Sequence, residues 1–317
     1  MTTTDLAPIV LFVYNRPWHT QQTLDALKQN ELAPESVLYV FSDGAKSGTD
    51  AEQFEKIAEV RRIIHSVNGF KDIIIKESEV NKGLANSIIE GVTEVINKHG
   101  KVIVLEDDLV TSKFFLRFMN EALEFYKSYK SVFSISANCP PLPFKLPIDY
   151  PYSVFVSLRF YSTGWGSWSD RWEQVSWDNS FINQTEEAHA FKRGGEDLTS
   201  MLTDQQLGKI DSWAIRFQFA HFKNHSISIM ACNPYIFNIG FDGTGIHSGF
   251  ISQKDMREQA ISHSILLETL YEDSRIINAF YSYYYPKKRP LWKKMVNRLS
   301  RILGGNNVFT IKQKVYQ

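Results

Sequence analysis

The chain opens with a short apolar run, Ile9-Val-Leu-Phe-Val-Tyr14, closed by Asn15-Arg16-Pro17. A β-branched run without polar alternation is the pattern of a strand buried on both faces of a parallel sheet. Pro17 suits the first turn of a helix that continues over Thr20 to Lys28. Val37 to Phe41 reads as a second strand, ended by the turn residues Ser42-Asp43-Gly44. Phe54, Ile57, Val60, Ile63 and Ile64 then recur at helical spacing over 51–66. A third strand at Ile73 to Ile75 precedes a helix opened by Asn81-Lys82-Gly83, carried by Ile88, Val92 and Ile96 and stopped by Gly100. Val102 to Leu105 is a fourth strand. Four strand–helix alternations in about 110 residues predict an α/β fold with a doubly wound, mostly parallel sheet flanked by helices.

Beyond this half the pattern is less regular. Residues 114–130 carry a helical stripe, Val132 to Ser136 a strand, 209–221 a helix with Asp211 at the N-cap position, and Ser226 to Met230 another strand. Phe160-Tyr-Ser-Thr-Gly-Trp-Gly-Ser-Trp-Ser-Asp-Arg-Trp172 reads as a glycine–tryptophan loop, where backbone could approach a ligand closely while an indole offers a stacking face. A buried aromatic hinge between lobes is the equal alternative. Asn238 to His247 is a glycine-rich loop. His221 and His225, four apart on a helix without a zinc-type Glu, read as packing or surface residues.

Chemistry concentrates where the fourth strand stops. Glu106, Asp107 and Asp108 follow Leu105 directly. Three carboxylates at the end of a buried strand lose hydration and repel one another, so a positive partner is required. The carboxyl edge of an open α/β sheet is where ligands bind. A hard divalent cation holding a diphosphate meets the demand. Helix capping explains one acid, at most two. Neither G-x-G-x-x-G after the first strand nor a G-K-[ST] loop is present, which argues against a dinucleotide dehydrogenase or a P-loop kinase. A diphosphate would therefore rest on a metal and on side chains such as Arg16.

Composition changes the picture only in part. With 43% hydrophobic and 22% charged residues in 317, the chain can bury a large core. The first apolar run is too short and lacks the basic flank of a signal peptide, and no run approaches a membrane span. Two cysteines, Cys139 and Cys232, suggest no disulfide framework and a reducing cytoplasm. The formal net charge of zero conceals an asymmetry: 287–317 holds nine basic and no acidic residues, while 26 basic residues face 35 acidic ones before it. Leu291, Trp292, Met295, Leu299, Ile302 and Leu303 form an apolar stripe among Lys293, Lys294, Arg298 and Arg301. This is the pattern of an amphipathic helix on anionic lipid through 287–303, with docking on the acidic body as the alternative.

The order of Asn15-Arg16, Ser42-Asp43-Gly44, Glu106-Asp107-Asp108, the Gly-Trp-Gly segment and Asp211-Ser-Trp213 resembles the GT-A-fold glycosyltransferases over roughly residues 8–250. It is most similar to the N-acetylglucosaminyltransferase I type and to bacterial family-2-like sugar transferases. The resemblance implies a nucleotide-sugar-binding half (1–130), an acceptor-binding and catalytic half (131–285) and the basic amphipathic tail (286–317). It implies Asp108 as ligand of Mn2+ or Mg2+, with Asp107 on the ribose and Glu106 near the donor sugar. Arg16 would contact diphosphate or base, and Asp43 the base edge. Trp165 would shape the sugar pocket, and His247 would reach metal or diphosphate unless its own loop backbone satisfies it. The family's two adjacent acids stand here as Asp211-Ser212, so Asp211 is expected as the base, with Asp170, Glu173 and Asp242 as substitutes. Implied partners are a nucleotide-sugar (UDP by family analogy) and a glycan or lipid-linked acceptor of surface polysaccharide, with no nucleic acid. The implied place is cytoplasmic, peripheral on the inner face of the plasma membrane. Two other readings share some features. A sugar-nucleotide nucleotidyltransferase would place a glycine-rich basic loop where Asn15-Arg16-Pro17 stands, and a non-catalytic carbohydrate-binding protein would not need the acid triplet.

Overall fold

The computed structural model describes residues 6–140, 144–178, 185–240, 266 and 268–284. The expected alternation is present: β1 (Ile9–Val13), α1 (Pro17–Lys28), β2 (Val37–Ser42), α2 (Ala51–Ser66), β3 (Asp72–Glu77), α3 (Leu84–His99) and β4 (Lys101–Glu106). Local chemistry sets the ends. Pro17 occupies the first turn of α1, the Asp50 carboxylate accepts the Gln53 backbone N–H at 2.8 Å to cap α2, and Gly100 closes α3.

The sequence runs on through β5 (Leu109–Thr111), α4 (Phe115–Phe125), β6 (Val132–Ser136), β7 (Val154–Ser157), β8 (Trp165–Trp168), α5 (Ser169–Trp172), α6 (Thr185–Phe191), α7 (Leu198–Gln206), α8 (Trp213–Lys223), β9 (Ile227–Ala231), β10 (Ile236–Asn238) and α9 (Ser274–Tyr284). Eight strands make one sheet in the order β3-β2-β1-β4-β8-β6-β9-β7, and β5 pairs with β10 in a separate ribbon. β3, β2, β1 and β4 are parallel; β8 is antiparallel to both β4 and β6; β9 is parallel to β6, and β7 antiparallel to β9. Six strands thus point one way and two the other, and both expected halves belong to the same sheet.

Period-two alternation divides the buried strands between two cores. Ile9, Leu11, Val13, Ile103 and Leu105 face α1, α2 and α4. Val10, Phe12, Val102 and Val104 face α3, α8 and the indoles of Trp165, Trp172 and Trp213. The glycine–tryptophan segment is therefore not a loop. It is strand β8, filling the space between β4 and β6, and Gly166 is required there because a Cβ would lie 2.8 Å from the Val102 carbonyl oxygen. The sequence conceals this strand because Trp165 and Trp168 are interrupted by glycine and serine instead of β-branched residues.

Candidate active site

From β1 the chain steps outward to β2 and β3, then crosses back to place β4 on the other side of β1. The carboxyl ends of β1 and β4 flank this reversal of direction, the place where an open sheet leaves a crevice. Register sets its walls: Phe12 lies opposite both Phe41 and Glu106, and Val13 opposite Ser42. Residues 14–16, 43–44 and 107–108 consequently emerge side by side at one edge.

Arg16 and the acid triplet meet there. The Arg16 guanidinium donates to Asp108 at 2.8 Å and approaches Asp107 at 3.4 Å, with all three side chains largely buried. Tyr14 backbone N–H also bonds the Asp107 carboxylate. The Asp107 carbonyl accepts from the buried Thr23 hydroxyl at 2.8 Å, fixing the turn from below. One guanidinium cannot neutralise three buried carboxylates. Burial first, then the charges of Asp108 and Asp107, push Glu106 up to about 8, and burial followed by Asp108 pushes Asp107 up to about 7.

These shifts give a signed prediction. Between the ordinary carboxylate range and about pH 8, the folded protein holds protons that the unfolded chain has released. Unfolding then releases protons, and this stability contribution is full below about pH 4 and lost as the pH rises through about 7 to 8. In EDTA, Glu106→Gln should lessen the decline between pH 5 and 8 by roughly 2 kcal/mol, as read by urea unfolding of both proteins. Parallel pH profiles would contradict it.

A second wall comes from β10. Its antiparallel pairing sets Asn238 opposite Leu109, Phe237 opposite Val110 and Ile236 opposite Thr111. Ile239 N–H bonds the Asp108 carbonyl at 2.9 Å, Asn238 reaches the Asp108 carboxylate at 3.5 Å, and the Asn238 side-chain oxygen accepts Gly240 N–H at 2.7 Å. A Cβ on Gly240 would lie 2.1 Å from an Asp108 carboxylate oxygen and 2.8 Å from an Arg16 guanidinium nitrogen. Glycine is the residue that leaves this cradle open. Asn238 and Gly240 were not legible as site residues: a glycine-rich stretch is visible in the sequence, but its pairing across 130 residues is not.

Asp43 lies at the same edge with both oxygens occupied. It accepts from Gly44 N–H, Lys82 N–H, Gly83 N–H and the Asn81 amide at 2.9–3.0 Å, tying the loops after β2 and β3 together. Its four lone-pair sites are filled, so contact with a base edge would have to displace one of these donors. Trp165 is removed from the pocket altogether. It is 1% exposed and stacked on Trp172 and Trp213 at 5.7 and 5.2 Å, leaving no ring face for a sugar. Its place in β8 is the reason.

The substitutes for the base separate by strand direction. β8 runs antiparallel, with Trp165 opposite Val104 and Trp168 opposite Lys101. Asp170 and Glu173 follow at the amino end of β4, about 17 Å from Glu106 at 3.3–3.4 Å per residue. They are excluded from chemistry at the triplet. Helix α8, by contrast, descends before β9 ascends, so its N-terminus lies at the carboxyl edge, where Trp213 stacks on Trp165. Ser212, not Asp211, is the N-cap, accepting Ile215 N–H. Asp211 stands one residue earlier, its side chain 64% exposed and bonded by Arg216 at 2.9 Å. His247, Asp242 and the tail 286–317 lie outside the described residues.

Among the described residues no group of three or more His, Cys, Asp or Glu is arranged to hold a metal unaided. The donor set nevertheless fits a hard cation. Mg2+ and similar ions commonly use one or two carboxylates and complete their shell with water and substrate phosphate. Burial and the neighbouring carboxylates disfavour the charged forms of Glu106 and Asp107, so added positive charge would be favourable at this edge. Among the described residues no helix is long and apolar enough to cross a membrane.

No protein-family model matches the chain, and no curated protein matches it in sequence. Among solved structures it is similar to a mannosyltransferase from Pyrobaculum calidifontis in complex with GDP-Man and Mn2+ (11% identity, 70% of each chain, TM-score 0.42). It is similar also to S. aureus TarS, with 12% identity over 73% of this chain and 60% of that one (TM-score 0.39). A UDP-glucose pyrophosphorylase complexed with UDP-glucose follows, with 11% identity over 71% of this chain and 90% of that one (TM-score 0.36). The strand order by itself establishes a mixed α/β protein: a large, mostly parallel sheet flanked by helices, with an acid triplet at its switch point.

Proposed function

We propose that the chain is a metal-dependent glycosyltransferase of the GT-A type, moving a sugar from a nucleotide-sugar to a hydroxyl of a glycan acceptor with inversion. The observation that carries this reading is the meeting of Arg16 with Asp107 and Asp108 at the carboxyl edge between β1 and β4. An anion-recognising guanidinium beside three clustered acids is what a metal-bound diphosphate needs. Asp108 would hold the ion, Mn2+ or Mg2+, with Asp107 beside it toward the ribose. When bound, that ion supplies positive charge where the departing diphosphate becomes more negative.

The chain's own residues supply the remainder. Arg16 offers a planar set of N–H donors to the diphosphate. Glu106, at the strand end, would lie toward the donor sugar. The acceptor hydroxyl oxygen forms the new bond to the anomeric carbon, its proton passes to the Asp211 carboxylate, and the old bond's electron pair leaves with the nucleoside diphosphate. A UDP-sugar donor and a lipid-linked acceptor of surface polysaccharide synthesis are the substrates we infer. Residues 287–303 would then hold the enzyme peripherally on the anionic inner face of the membrane.

A thermal-shift screen of nucleoside diphosphates and their sugars, with and without Mn2+, tests the reading. One nucleotide family should raise the melting point only when the metal is present, since a ligand of the folded state stabilises it by mass action. The screen is repeated with anionic liposomes, co-sedimentation reporting the tail contact. No metal-dependent shift with any nucleotide would refute the assignment.

A further inference from the structure

The Arg16–Asp108 contact has a direction of effect opposite to that of an ordinary binding residue. Asp108 offers two carboxylate oxygens. Arg16 donates to one at 2.8 Å, and that same oxygen lies under Gly240; Asn238 stands 3.5 Å from the other. The guanidinium therefore sits on the carboxylate that the proposed function assigns to the cation. Its second approach, 3.4 Å to Asp107, puts its charge between both acids of the pair. A cation brought to the Asp108 oxygen that Arg16 already occupies would meet the guanidinium's positive charge at close range.

We propose that Arg16 is a resident counter-ion that competes with the divalent cation for Asp108 and yields only when a diphosphate arrives to take the guanidinium. This rests on the metal-dependent reading and adds a binding order: metal and nucleotide enter together, and free metal alone binds poorly. The guanidinium Nη1 that now donates to Asp108 is equally suited to a phosphate oxygen, so Arg16 exchanges one anion for another without losing a charged partner in a buried place. Gly240 contributes by leaving room beside one guanidinium nitrogen, where a Cβ would stand only 2.8 Å away.

The test is a Mn2+ titration followed by electron paramagnetic resonance, with and without UDP, on wild type, Arg16→Met, Arg16→Lys and Asp108→Ala. Arg16→Met keeps the stem and removes the charge. It should bind free Mn2+ roughly tenfold more tightly than wild type, yet bind Mn2+ with UDP roughly tenfold more weakly. Arg16→Lys, which retains a charge without the fork, should restore much of the competition. Asp108→Ala should bind Mn2+ in neither condition. Free Mn2+ affinity that is unchanged or weaker in Arg16→Met overturns the counter-ion role while leaving the metal reading intact. Absence of Mn2+ binding in every protein, with UDP present, overturns both.

Discussion

Asp108→Ala should lose all metal-dependent stabilisation by nucleotide while remaining folded. In wild type, a nucleotide with Mn2+ at about 100 times its dissociation constant adds about 2.7 kcal/mol, a rise of several degrees in melting point for a chain of this size. The substitution removes the carboxylate closest to Arg16 and embraced by Gly240 and Asn238. It should cost the empty protein little, because one of three mutually repelling acids disappears and Arg16 keeps Asp107 at 3.4 Å. Sugar transfer should fall by at least about a thousandfold, the scale on which removal of charge stabilisation at a leaving group is felt. Calorimetry of the variant with nucleotide and Mn2+ checks it against thermal shift. Retained metal-dependent binding would move the ligand role off Asp108 and leave the triplet as a helix-entry and ion-pair feature.

How much of this was readable beforehand follows from the kind of information each element carries. β1, β2 and β4 are buried on both faces, so their apolar runs are continuous and short, and the helices between them have one-sided stripes; local pattern suffices. The triplet was legible because three adjacent acids after such a run carry a desolvation cost that no capping role explains. Asn15-Arg16 was legible because it occupies the corresponding end of β1. The second half resisted for two reasons. Its strands β7 and β8 run against the others and lie apart in the sheet, and β8 is built of Trp and Gly, which spell loop as readily as strand. Trp165 was therefore expected at a ligand and is found in the core, stacked with indoles brought from residues 172 and 213. Asn238 and Gly240 depend on β10 finding β5, a pairing fixed only by tertiary structure. The same strand directions that hid β8 also set Asp170 and Glu173 at the amino end of β4, away from the triplet.

Asp211→Asn should leave donor binding nearly unchanged and reduce turnover by roughly two to four orders of magnitude, the contribution of a positioned general base. Asn matches Asp in shape and can still accept from Arg216, which bonds the carboxylate at 2.9 Å, so the entry into α8 should persist. The cap itself is secured by Ser212 and the Ile215 N–H, and the Gln205 side chain holds Ser212 N–H at 2.7 Å. What the substitution removes is the capacity to accept a proton, and the 64% exposure of the side chain is what an acceptor hydroxyl would need in order to reach it. Arg216 gives the carboxylate a fixed orientation, anchored in turn by its bond to the Trp177 carbonyl at 2.9 Å. The measurement is kcat and donor KM side by side, with nucleotide-dependent thermal shift as the binding control. A fall in kcat at constant donor KM and constant thermal shift assigns the proton to Asp211. Full turnover removes it from the role, and a joint loss of binding and turnover makes it a structural residue of the α8 entry instead of the base.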